Sequence, residues 1–119
     1  MTKTPQAEAS GPLSSMKTSY ANAILELQHC AEERRLAGDQ LGCIALLEKS
    51  NELSIAALGI RKAEMAASQA TSLTPTLKQL SKIAIEARKE VEALKKAADK
   101  LAQAAKIVAV LSKLLEFFP

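Results

Sequence analysis

The chain has no tryptophan, a single tyrosine (Tyr20) and two phenylalanines (Phe117 and Phe118). So few rings cannot hold a core together as aromatic clusters do. They also leave no stacking platform for single-stranded nucleic acid. Only one histidine, His29, is available, so a two-metal carboxylate bundle, which needs a Glu-x-x-His motif on each of two helices, is excluded. The two cysteines, Cys30 and Cys43, are too few for a disulfide framework and read as core thiols. With His29 they could hold zinc only if Glu32, Glu33 or Asp39 supplied a fourth ligand, and the spacing matches no zinc motif. A Cys–His nucleophile pair fails as well, because neighbouring helix residues point about 100° apart. Four scattered glycines make no phosphate loop. No stretch reaches the ~20 apolar residues of a membrane span. Residues 1–14 lack the apolar stretch of a secretory leader, so a cytoplasmic location is expected. No catalytic constellation, metal site or cofactor site is legible, and no enzymatic activity is expected.

What is present is helical material. Of the 119 residues, 48% are hydrophobic and 24% charged, with a net charge of +3. Alanine, leucine, lysine and glutamate dominate over β-branched and aromatic types, which favours helices throughout. The positive excess lies in residues 75–119, with nine Lys/Arg against five Asp/Glu. The interspersed acids and missing aromatics argue against nucleic acid as a partner.

Residues 1–14, with Pro5, Gly11 and Pro12 among small polar residues, read as a flexible tail. Helix 1 is expected over 15–37, with Met16, Tyr20, Ile24, Leu27 and Ala31 on one face. Gly38 provides the left-handed position that ends a helix, and Asp39 can cap the next. Helix 2 is expected over 40–70. Its apolar positions, among them Cys43, Ile44, Leu46, Leu47, Leu53, Ile55, Leu58, Ile60 and Met65, cover so wide an arc that it should lie between two neighbours. Asn51 and Ser54 fall within that arc and are expected to be buried and to set register. The Leu36-Ala37-Gly38-Asp39…Cys43…Leu47 junction is similar to the turn of a tetratricopeptide unit over some 20 residues. The aromatics of that repeat are missing and no second copy follows, so the likeness implies shared αα-hairpin geometry and no family.

Thr74 and Pro75 give a start signal for helix 3, expected as one unbroken rod over 76–118. Leu77, Leu80, Ala84, Ala87, Val91, Leu94, Ala98, Leu101, Ala105 and Val108 mark a heptad seam along it. The expected fold is therefore all-α: an antiparallel up-down-up three-helix bundle with coiled-coil packing and a long C-terminal helix. On these lengths residues 107–118 overshoot the hairpin. They carry Ile107, Val108, Val110, Leu111, Leu114, Leu115, Phe117 and Phe118, too apolar a segment to stand in water. The expectation is a small interaction or assembly module that joins a second copy, a dimer being favoured, or a helical partner, through these eight residues. The alternative is a membrane-surface-active helix that inserts residues 107–118 into an anionic lipid surface. A kink near Ser112 that folds the end back onto the bundle is the remaining possibility.

Overall fold

The computed structural model describes residues 5–69 and 77–117, with side chains over 11–66 and 78–117. Four helices succeed one another: α1 (Pro5–Leu36), α2 (Gln40–Gln69), α3 (Leu77–Lys96) and α4 (Lys100–Leu115). No strand occurs among the described residues. The all-α expectation holds, but the count does not, because the long C-terminal rod is two helices.

The first turn is built as the sequence suggests. Gly38 takes φ +84°, and its N–H donates to Arg35 while the Asp39 N–H donates to Arg34. These two bonds satisfy the last carbonyls of α1. Asp39 then caps α2 by accepting the Gly42 N–H at 2.8 Å. A Cβ at residue 42 would collide with that same Asp39 carboxylate, so glycine there lets the cap sit tight on the backbone.

α1 is longer than its periodicity implied. It begins at Pro5 and runs through Pro12, so residues 5–14 are helix where a flexible tail was expected. Pro12 supplies no backbone donor, yet the helix continues because Leu13 and Met16, one turn apart, are both fully buried. The expected face is otherwise found, with Met16, Tyr20, Leu27 and Ala31 buried and Ile24 half-buried.

The break between α3 and α4 is the main departure. The Ala97 N–H reaches back to Leu94 in a tight final turn. Asp99 takes an extended conformation and caps α4, accepting the Ala102 N–H at 3.0 Å. Lys100 Nζ donates to the freed carbonyls of Leu94 and Lys95 and lies 3.8 Å from Glu26 of α1. A cation on the last carbonyls of α3 suits the negative end of that helix. The chain thus reverses at residues 97–99, well before Ser112.

The helices pack in the cyclic order α1, α2, α4, α3. Gln103 of α4 donates to the carbonyl and carboxylate of Glu90 on α3, each at 2.8 Å, and Lys113 pairs with Glu86 at 2.7 Å. These contacts fix α3 and α4 as an antiparallel hairpin. Lys17 and Glu64, 3.1 Å apart, do the same for α1 and α2. The two hairpins lie along each other in a rod of 57 × 21 × 20 Å. Their shared core holds Leu13, Met16, Tyr20, Leu27, Leu53, Ile60, Leu80, Leu94, Ile107, Leu111 and Leu114, each less than 2% exposed. The Thr74–Pro75 start signal and Ala70 lie outside the described residues.

Candidate interaction surface

The residues expected to form an interface at the C-terminal end face inward. Ile107, Val110, Leu111 and Leu114 are buried by their own chain, and Val108 and Phe117 pack half-buried against the same core. Leu115 presses on α2 at Gly59, where a Cβ would come within 2.7 Å of its Cδ2. Phe118 lies outside the described residues. The premise that this segment overshoots its neighbours is therefore corrected. Reversal at residues 97–99 brings α4 back along α2, and the apolar face that seemed to need another chain fills the groove between α2 and α3.

Tyr20 holds this arrangement. Its hydroxyl donates to the Ile107 carbonyl at 2.7 Å, 87 residues away in sequence. Burial pushes its phenol well above the ordinary range, so it stays a neutral donor.

Among the described residues, Leu25, Leu36, Ile85 and Leu101 are exposed singly on the other helices, but most of the large apolar side chains left outside belong to α2. The helix turns Cys43, Leu46, Ser50, Leu53, Ile60 and Ala63 inward. Its opposite face carries Leu41 (83% exposed), Ile44 (51%), Leu47 (46%), Ile55 (61%) and Leu58 (62%). Asn51 is exposed on that face and Ser54 is half-buried, its hydroxyl donating to the Ser50 carbonyl at 3.0 Å. Both corrections have one cause. The wide apolar arc of α2 implies two neighbours across its full width, but α1 and α4 together cover only its inner half.

The outer positions follow a heptad rhythm. Leu41, Ile44, Glu48, Asn51, Ile55, Leu58 and Lys62 succeed one another at spacings of three and four, and all are exposed. They form a second seam, parallel to the buried one, with polar residues at three of seven places. Those polar residues, Glu48, Asn51 and Lys62, were the signal in the sequence that this side faces outward. Neither Glu48 nor Lys62 has an ion-pair partner among the described residues, whereas Lys49 pairs with Glu52 at 2.9 Å beside the seam.

A cleft of about 680 Å³ lies where the two interhelical turns meet, lined by Cys30, Arg34, Asp39, Leu46, Asp99 and Lys100 among others. Its charged groups already have structural work. Asp39 and Asp99 cap helices, and Lys100 holds the end of α3. The Cys30 thiol contacts Glu26 at 3.7 Å; burial first, then that carboxylate, raise its pKa, which keeps it protonated and a poor nucleophile. His29 lies on the surface with Glu33 at 2.8 Å. No group of three or more metal-ligating side chains gathers among the described residues, and no described helix is long and apolar enough to cross a membrane. Neither a family model, nor a curated protein, nor a solved structure matches this chain.

Proposed function

We propose that this chain is a non-enzymatic helical interaction module whose contact surface is the outer face of α2. The observation that carries the reading is the exposed seam from Leu41 to Leu58. Leu41, Ile44, Ile55 and Leu58 on the seam, with Leu47 beside it, span about 26 Å of one helix at the helical rise and are more than the scattered single residues of an ordinary surface. A helix laid along such a seam is the natural occupant, because its own side chains repeat with the same period. Burying these five would contribute roughly 1.5–3 kcal/mol per side chain as an upper bound, against which the cost of association must be set.

The C-terminal segment supports an interface less well. Offering Ile107, Val110, Leu111 and Leu114 to a partner or a lipid surface would require α4 to leave the core it fills. A photoreactive residue at Leu58, installed in the full chain within its native cells, tests the reading. A discrete protein adduct at Leu58, absent when the same group replaces exposed Arg88 on α3, is the expected result. Identical products from both positions, or none from either, contradict it.

A further inference from the structure

We infer that the outer face of α2 pairs with the same face of a second copy of this chain, antiparallel, about a two-fold axis near Ile55 and Leu58. The inference rests on the reading of α2 as the contact surface and commits it to one occupant. Its warrant is the order of residues along the seam. Glu48 and Lys62 stand one heptad before and one heptad after Ile55, both at core positions, both exposed and neither ion-paired among the described residues. They are of opposite sign and symmetric about Ile55. An identical helix laid antiparallel on this face sets Ile55 and Leu58 of each copy against Leu58 and Ile55 of the other. In that register Glu48 of each copy stands about 5 Å along the axis from Lys62 of the other, within reach of two long side chains. A parallel pair would put Glu48 against Glu48 and Lys62 against Lys62, two like-charge contacts in an apolar seam.

Asn51 fits the same arrangement. A polar side chain at a seam position costs stability but restricts register and number of strands. A two-fold pair is also closed, because each copy presents its one seam once. The surrounding fold leaves room, since α1 and α4 contact α2 from the inner side and the seam positions remain exposed along its length.

The test is the oligomeric state of the full chain by size exclusion with light scattering, across a concentration series, with helicity followed by circular dichroism. The wild-type chain is expected at twice its chain mass. Leu58→Lys is expected to give a monomer of unchanged helicity, because Leu58 takes no part in the core. Glu48→Lys and Lys62→Glu should each weaken the dimer about tenfold, since each replaces two attractive contacts by two repulsive ones. The double variant Glu48→Lys with Lys62→Glu should restore it to within about threefold of wild type.

A wild-type monomer at every concentration overturns the second-copy inference. The module reading then stands or falls separately on whether Leu58 crosslinks to a different protein. A dimer indifferent to both charge reversals overturns the antiparallel register. A dimer that survives Leu58→Lys places the interface elsewhere and overturns both readings.

Discussion

Tyr20 is the single tyrosine of the chain, and it ties α1 to α4 through one hydrogen bond to the Ile107 carbonyl. Tyr20→Phe keeps the ring in the core and removes only that bond, so the expected cost is about 0.5–1.5 kcal/mol in denaturant unfolding. The pH dependence gives a second readout. The folded-state pKa is raised, so above about pH 10 the unfolded chain releases the phenolic proton while the folded chain keeps it. The folded state then binds more protons, and stability falls as pH rises from that point. Wild type should lose unfolding free energy between about pH 10 and 12 more steeply than Tyr20→Phe. Equal slopes for the two would show that the hydroxyl is not held in the core.

At the scale of elements, the two hairpins differ in how openly their turns are written. Gly38–Asp39 is explicit, since only glycine takes the left-handed position easily and aspartate is among the best caps. The reversal at 97–99 has no glycine or proline. Ala97 and Ala98 are strong helix formers, and a continuous rod is what local preference favours. Tertiary burial decides otherwise. Straightening α3 into α4 would expose Ile107, Val110, Leu111 and Leu114, roughly 6–12 kcal/mol of apolar burial at most. Breaking the helix costs only a few backbone bonds, which Asp99 and Lys100 largely replace.

A trace of the break was present in the sequence as a change of apolar phase. Ala98, Leu101 and Ala105, expected on the seam, are exposed, while Gln103, Ala104 and Ile107 are buried. That shift reads as a reversal only once Asp99 is recognised as a cap. The N-terminal end of α1 was hidden in the same way, because Pro12 and Gly11 weigh against helix locally and the burial of Leu13 is a long-range fact. Asp99→Ala should lower stability by about 0.5–2 kcal/mol without altering the denaturant slope, because the hairpin is held by burial and not by its cap. A lowered slope would mean that α4 has swung away.

At the scale of the molecule, the chain solves a coverage problem. Its most apolar segment fills the groove of its own bundle, and the apolar excess reappears on the outer half of α2. Two leucines separate these roles. Leu111→Ala, less than 2% exposed, should cost about 2–5 kcal/mol in a core this closely packed. Leu58→Ala, 62% exposed, should change unfolding of the isolated chain by no more than about 0.5 kcal/mol. The sequence showed both apolar stretches but not which was inside, because an α2 arc wide enough for two neighbours looks the same whether one flank is covered or bare.

The measurement closest to the heart of this account is the set of nuclear Overhauser contacts from the Tyr20 ring, which a single tyrosine makes unambiguous. Contacts to the methyl groups of Ile107 and Leu111 are expected in a uniformly labelled sample, and they should vanish when an isotope filter selects only pairs between labelled and unlabelled chains. Contacts that persist through that filter, or a Tyr20 ring with no Ile107 or Leu111 neighbour, would contradict the folded-back helix and return the C-terminal segment to the surface.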